Sequence, residues 1–382
     1  MKKRKIAIIT YEYPPVIGGA GIYAKSLFDG LKNQGYDVSL CLLAPNNKLN
    51  RQFKKIWEVI YLIRSLFIIW NVFRKDFDTI IINDGRTKKI YTLIYSFISK
   101  SKTNKGVVVM HGGEINTYFH QTSLLMKIFR IPVRIKNLLP NQKLIIVVSE
   151  SEYSQWISFM PELKKNLKII PHAVSANIFY PKSENEKQII RRNLNLSDND
   201  FIIFSASRLV PQKGQDTIID AINFIKNQAD NIKLIIGGHG PYKHHLKTVS
   251  KNYNIIDKVI FLGSVQREDL IDYYNIADLF ILPSRYIESF GLVYIESFAC
   301  KTPVISSNLG GVNNIVRDGI NGYKTAPNDF KKIGDLILHL RNDRQILKIL
   351  SENAYQDFKT LFDEKNMLNK LIYETDSTTG TD

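Results

Sequence analysis

Short apolar runs alternate with longer mixed segments along the whole chain. Lys5–Thr10 (KIAIIT), YDVSLCLL (36–43), TIIIN (79–83), GVVVMHG (106–112), LIIVVS (144–149) and LKIIPHAV (167–174) each predict a strand. The second half repeats the pattern with FIIFSAS (201–207), KLIIGG (233–238), VIFLGS (259–264), LFILPS (279–284) and TPVISSN (302–308). Helix-length segments lie between them, the first at Gly21–Gln34, ended by Gly35. Such alternation predicts an α/β fold with mostly parallel sheets. There is no internal repeat and no run long enough to span a bilayer.

A chain of 382 residues suggests two domains. Polar, breaker-rich YPKSENEKQ (180–188) has the composition of a linker or surface segment, which places the boundary near residues 175–185. The composition, 44% hydrophobic and 23% charged, is that of a globular protein with real cores. The basic start MKKRKIAIITYEYPP has too short an apolar run for a secretory signal. Cys41 and Cys300 both sit in apolar stretches, as buried free thiols do in a reducing compartment, so a cytoplasmic protein is expected.

The net charge of +16 is one-sided. Residues 1–170 hold 27 Lys and Arg against 11 Asp and Glu, whereas residues 171–382 hold 25 of each. A basic first half points to a polyanionic partner, nucleic acid or an anionic membrane surface. Within it, KKIWEVIYLIRSLFIIWNVFRKDF (54–77) combines Trp57 and Trp70 with Lys54, Lys55, Arg64, Arg74 and Lys75. Internal Glu58 and Arg64 argue against a span. The pattern suits either a helix lying in a membrane interface or a core helix of the first domain.

Several motifs can carry chemistry. PPVIGGAGIYAKSL (14–27) contains Gly19-x-Gly21-x-x-Ala24, the form of a dinucleotide fingerprint. The glycines come late, however, and the second strand ends LCLLAP with no acid for a ribose. A glycine turn opening a helix still offers N–H groups to a phosphate. SRLVPQKGQD (207–216) puts Arg208 and Lys213 in a strand-to-helix loop, where two cations suit a diphosphate; the plainer alternative is a pair of surface cations. IIGGHGP (235–241) is another glycine turn. His239, His244 and His245 near it lack an acid in metal-ligand spacing, so no metal site is expected. His111 ends an apolar strand in VVVMHGGE (107–114), where ligands as well as structural histidines are found.

Glu288 and Glu296 flank Phe290, Gly291 and Leu292 at the start of a helix. Positions eight apart lie about 12 Å apart along a continuous helix, too far for the paired carboxylates of a retaining glycosidase. Two separated acids around free N–H groups suit an elongated ligand: hydroxyls, diphosphate, hydroxyls. A nucleotide sugar has that layout.

Taken in order, PPVIGGAG, MHGGE, SRLVPQKGQD, GGHGP, FLGSV, ESFGLVYIE and ACKTPVISSNLGGVNNIVRDGINGY resemble the large retaining glycosyltransferase family 4, across nearly the whole chain. The resemblance implies a GT-B fold, two Rossmann-like domains facing across a cleft: an acceptor-side domain at 1–178, a nucleotide-sugar domain at 179–360, and a helix at 361–382 crossing back to the first. It implies that Glu288 holds donor-sugar hydroxyls and Glu296 the ribose. Phe290, Gly291 and Leu292 would present N–H groups, and Arg208 and Lys213 would pair with the diphosphate. Gly19 would admit the distal phosphate, His111 would line the sugar and acceptor side, and Gly263 and Val265 would read the base. IPHAV (170–174) departs from the family, which more often has Asn-Gly there, and His172 is expected to belong to the interdomain segment.

The function expected is retaining transfer from a nucleotide-diphosphate sugar to a glycan or lipid-linked acceptor in cell-surface polysaccharide assembly, at the inner face of a membrane. None of these motifs contains a D-x-D signature, so no metal cofactor is expected, and the cations would take that role. A second reading is another GT-B activity on a soluble acceptor, such as a sugar-nucleotide epimerase or disaccharide synthase. A third is a non-enzymatic binder of an anionic surface or nucleic acid. It leaves Arg208, Lys213, Glu288 and Glu296 unexplained in a neutral domain, so nucleic acid is not expected as the partner.

Overall fold

The computed structural model describes residues 3–14, 19–43, 54–98, 104–288 and 290–377, with residues 54–58 described by backbone only. The side chains of Lys54, Lys55, Trp57 and Glu58, residues 15–18 of the glycine-rich stretch, Ser289 and the end of the tail therefore lie outside the described residues. The chain forms two compact units, Met1–His172 with Glu364–Asp382, and Ala173–Asp363.

The first unit holds one parallel sheet in the order β2-β1-β3-β4-β5-β6. Its strands are β1 Lys5–Thr10, β2 Asp37–Leu42, β3 Thr79–Ile82, β4 Gly106–Val109, β5 Leu144–Val147 and β6 Leu167–Ile169. The central strands are buried on both faces, which is why they read as unbroken Ile and Val rather than as an alternation. One face carries the helices Lys54–Arg74, Gly85–Ile94, Ile131–Leu138 and Glu150–Phe159. Ile69, Phe73, Ile90, Ile135 and Trp156 from these helices pack against Ala7, Ile9, Ile80, Val108 and Ile145 of the strands.

The helix Gly19–Asn33 packs against β1 and against the C-terminal helix Glu364–Ser377. A side chain at Gly30 would run into Leu368, so glycine sets how closely these two helices approach. Ser26 donates to Glu364, and Arg4 pairs with Asp376.

The second unit has its own parallel sheet, in the order β12-β11-β10-β7-β8-β9. The strands are β7 Phe201–Ala206, β8 Ile232–Gly237, β9 Val259–Gly263, β10 Leu279–Leu282, β11 Val304–Ser307 and β12 Gly322–Thr325. Chain order runs outward in both directions from the β7–β10 neighbours. That reversal opens a crevice beyond the carboxyl ends of those two strands.

Two sequence expectations change. The boundary falls at His172/Ala173, ahead of residues 175–185, and the stretch at 180–188 belongs to the second unit. Lys182 N–H donates to Asn275 and its ammonium pairs with Asp272. Ser183 then caps the helix Glu184–Asn193, reciprocated by Glu186. The polar, breaker-rich composition that resembled a linker is that of a capping box. The edge strand β12, GYKT, went unread because its burial is only partial and its residues are not an apolar run.

Candidate active site

In the second unit the side chains collect at the strand reversal. After β7 the chain makes a tight turn at Pro211–Lys213 and enters the helix Gln215–Ile225 through Gly214, in the left-handed region at φ 71°. A Cβ at Gly214 would collide with the Pro283 carbonyl oxygen, so the loops after β7 and β10 touch backbone to backbone there. Arg285 ties them further. Its N–H donates to Gln212 O at 2.8 Å. Its guanidinium donates to Pro211 O at 2.9 Å, Asp216 Oδ2 at 2.8 Å and Thr217 Oγ1 at 3.0 Å, and also to Asn328.

This clamp brings Lys213 and Glu288 together. Lys213 Nζ donates to Glu288 Oε1 at 2.7 Å, and Ser284 Oγ donates to the same oxygen at 2.6 Å. The Tyr286 ring lies 4.9 Å from the ammonium. Burial works against the Lys213 charge, but Glu288 and Tyr286 outweigh it and the pKa is raised, so the lysine stays charged. The Glu288 backbone is anchored in turn, since its carbonyl accepts from Gly311 N at 2.8 Å.

Three residues beyond Glu288, Gly291 at φ 101° starts the helix Leu292–Ala299. No side chain caps this start; in the first turn Tyr294 N–H donates back to Gly291 O at 3.1 Å, and the N–H groups of Leu292 and Val293 have no partner among the described residues. Phe290 is buried beside Phe362 and fixes the turn. Glu296, one turn into the helix, is 3% exposed. Its Oε1 accepts from Arg267 Nε at 3.1 Å and Nη2 at 2.8 Å, and its Oε2 accepts from Tyr274 Oη at 3.1 Å. Glu288 is therefore held from the loops after β7 and β10, and Glu296 from the segment after β9, through Arg267 and through Tyr274 on the helix Leu270–Ile276.

Arg208 is exposed, and no other described side chain pairs with it. The loop after β8 runs against its backbone. Ser207 N donates to Gly237 O at 3.1 Å, and side chains at Gly238 and Gly240 would strike Ser207 O and Leu209 O. Gly263, at φ 78°, ends β9 and accepts from Gly238 N at 2.7 Å. Val265 follows it, with a methyl 3.6 Å from where a Gly237 Cβ would stand.

In the first unit, Gly19 opens its helix with no atom of the described residues within 4 Å of where a Cβ would stand. His111 follows β4. Its Nε2 lies 2.8 Å from Asn83 Oδ1. Asn83 Nδ2 donates to Ala20 O at 2.8 Å and Thr10 Oγ1 at 3.1 Å. A carbonyl can only accept, so the amide orientation is fixed and the His111 proton sits on Nε2. His172, from the loop after β6, stacks on His111 at 5.1 Å, with Tyr23 edge-on to both. Burial pushes both histidines down, His172 to about 4 and His111 well below its ordinary value. Both are neutral at physiological pH.

The Gly112–Gly113 turn beside them is held by Glu114, which accepts from His111 N and Gly112 N, each at 2.7 Å. Glu114 also pairs with buried Lys88 at 2.8 Å. Burial and the Glu114 charge push Glu152, at the start of the helix after β5, up to about 8. No group of three or more His, Cys, Asp or Glu among the described residues is placed to hold a metal ion.

Sequence reading did not find Ser284, Arg285, Arg267, Tyr274, Asn83 or Glu152. Each lies in an ordinary local pattern and becomes significant only through a partner brought in by the sheet order. His172 had a signal, the departure from Asn-Gly in IPHAV, and that signal marked a histidine packed on His111.

Comparison with known proteins bears on this arrangement. The family described as glycosyl transferases group 1 matches residues 186–357. An uncharacterized glycosyltransferase of Methanocaldococcus jannaschii is 26% identical over 96% of this chain and 97% of its own length. A GDP-mannose-dependent phosphatidylinositol monomannoside mannosyltransferase of Mycobacterium tuberculosis is 30% identical over 47% of this chain and 48% of its own, so the match spans about half of that relative. Among solved structures, Anabaena Alr3699/HepE in complex with UDP has a TM-score of 0.78, with 21% identity over 98% of this chain and 100% of that one. At that identity the likeness establishes the fold, which is GT-B.

Proposed function

We propose that this protein is a retaining glycosyltransferase moving a sugar from a nucleotide diphosphate to a glycan or lipid-linked acceptor, a reading supported by the match of residues 186–357 to the glycosyl transferases group 1 family. The observation that carries the donor side is the Lys213–Glu288 pair beside an uncapped helix start at the strand reversal. Breaking the anomeric bond leaves charge on the diphosphate. Lys213, the exposed Arg208 and the N–H groups of Leu292 and Val293 would stabilise that charge as it develops.

In this reading Glu288 holds sugar hydroxyls, and Glu296, oriented by Arg267 and Tyr274, takes the ribose. Phe290 and Gly291 set the turn, Gly263 and Val265 face the base, and Gly19 admits the distal phosphate. Neutral His111 lines the sugar and acceptor side. Cations rather than a divalent metal carry the diphosphate charge. Retention would follow from attack on the leaving-group face, with the departing phosphate taking the acceptor's proton. The mannosyltransferase relative, named for a lipid substrate, and the basic first half support a lipid-linked acceptor in surface polysaccharide assembly at the cytoplasmic face of a membrane.

A panel of nucleotide sugars, each assayed for hydrolysis and for thermal stabilisation of the protein, tests the donor assignment. One or a few should stabilise the fold and turn over slowly in water. A panel with no stabilising member would remove the reading. Full transfer to a small soluble acceptor without lipid would remove only the acceptor.

A further inference from the structure

The helices on one face of the first sheet have an inner side committed to the core and an outer side that remains apolar. On Lys54–Arg74, Ile69 and Phe73 are buried, while Ile63 and Phe67 are 62% and 65% exposed. Phe97, just beyond Gly85–Ile94, is 72% exposed. Leu124, Leu125 and Ile128, on a short helix packed against Ile131–Leu138, are 74%, 65% and 61% exposed. These helices are neighbours in series: Lys54–Arg74 packs on Gly85–Ile94, and that on Ile131–Leu138. An apolar groove of about 370 Å³, lined by Leu66, Phe67, Trp70, Ile94 and Phe97, runs between the first two.

Along the three segments that carry this apolar surface the charge has one sign. Residues 59–75, 85–98 and 115–149 contain no Asp or Glu. Arg64, Arg74, Lys127, Arg130 and Lys136 are exposed along the same helices. A large exposed apolar surface marks an interaction site, and an acid-free rim of cations selects an anionic partner. Nucleic acid would ask for aromatic platforms on which bases stack. Most of the outward apolar side chains here are aliphatic, which suits the acyl region of a bilayer.

We propose that this face docks on an anionic phospholipid surface, with one acyl chain lying in the Phe67–Phe97 groove. The helix Lys54–Arg74 lies on the bilayer rather than through it, because its inner stripe is part of the core. No helix among the described residues is long and apolar enough to cross a membrane. The expected membrane contact thus extends beyond the tryptophan-bearing helix to the Leu124–Ile128 segment. The proposal extends the functional reading but does not depend on it, since no donor-site residue takes part.

The test sediments the full chain with phosphatidylcholine vesicles, with and without phosphatidylglycerol, at low and high salt. A background carrying both Trp57→Phe and Trp156→Phe, checked for folding by circular dichroism, then reports Trp70 fluorescence against phosphatidylglycerol carrying brominated acyl chains. Binding should require phosphatidylglycerol, fall with salt, and quench Trp70. The pair Lys127→Glu and Arg130→Glu should weaken binding by roughly tenfold or more. The pair Phe67→Ser and Phe97→Ser should abolish the quenching, with circular dichroism reporting whether each variant folds.

Equal binding to neutral vesicles, or none to either, overturns the proposal. Binding without quenching, unchanged in the phenylalanine variant, overturns the groove. Tighter binding to a short RNA than to the vesicles overturns the lipid assignment. Nucleotide-sugar turnover, measured separately, shows whether the transferase reading stands in each case.

Discussion

Lys213 and Glu288, 75 positions apart, meet at 2.7 Å where the strand order of the second sheet reverses. In the absence of a ligand each satisfies the other. A bound diphosphate would draw the ammonium and free the carboxylate for the sugar, so the two substitutions should differ in effect. Lys213→Ala should weaken nucleoside diphosphate binding by calorimetry. Glu288→Ala should leave that affinity nearly unchanged and lower turnover by about a hundredfold or more, the usual effect of losing a contact made mainly in the transition state. A folded Glu288→Ala enzyme with full turnover would end this assignment.

Arg285 should prove a positioning residue. It reaches Pro211, Asp216, Thr217 and Asn328, and touches neither Lys213 nor Glu288 directly. Arg285→Lys keeps the charge and loses the fork that makes these bonds together. The expected result is a lower melting temperature and weaker nucleoside diphosphate binding, with both defects present in the lysine variant as well as in Arg285→Gln. Charge alone would be the operative property if lysine restored both.

Glu152 predicts a pH dependence of stability. Burial and Glu114 hold its carboxyl protonated up to about 8, whereas in the unfolded chain it ionises near 4.5. Between those values the folded state binds the extra proton, so the Glu152 contribution falls as pH rises through that window. Glu152→Gln mimics the protonated acid and removes the titration. Its stability gain should be close to nothing at pH 4.5 and grow to on the order of 4 kcal/mol near pH 8. Denaturant melts of both proteins across the window read this directly, and a gain independent of pH would refute it.

The sequence carried the strands and the loop motifs well, because a parallel strand buried on both faces is an uninterrupted apolar run, as in TIII and LIIV. It carried the positions of Glu288 and Lys213 through the turns around them. It did not carry their pairing, nor the bond from Arg267 to Glu296 across 29 positions, because both depend on which strands become neighbours. His111 and His172 show the same limit. Their loops follow β4 and β6, and only the sheet order brings the two rings into contact. The edge strand β12 was missed for the opposite reason, since a half-covered strand has little need of apolar residues.

The close approach of Gly30 to Leu368 has a consequence for how the chain is made. The first unit is discontinuous, beginning at residue 1 and closing with the helix Glu364–Ser377. During synthesis its sheet emerges early, but the surface of Gly19–Asn33 that receives Leu368 stays bare until Glu364–Ser377 has left the ribosome. The second unit, Ala173–Asp363, is continuous and can complete its own core first. The unit translated first is therefore the last to be finished, and a ribosome that stalls before residue 364 leaves it with an open apolar seam for chaperones to cover.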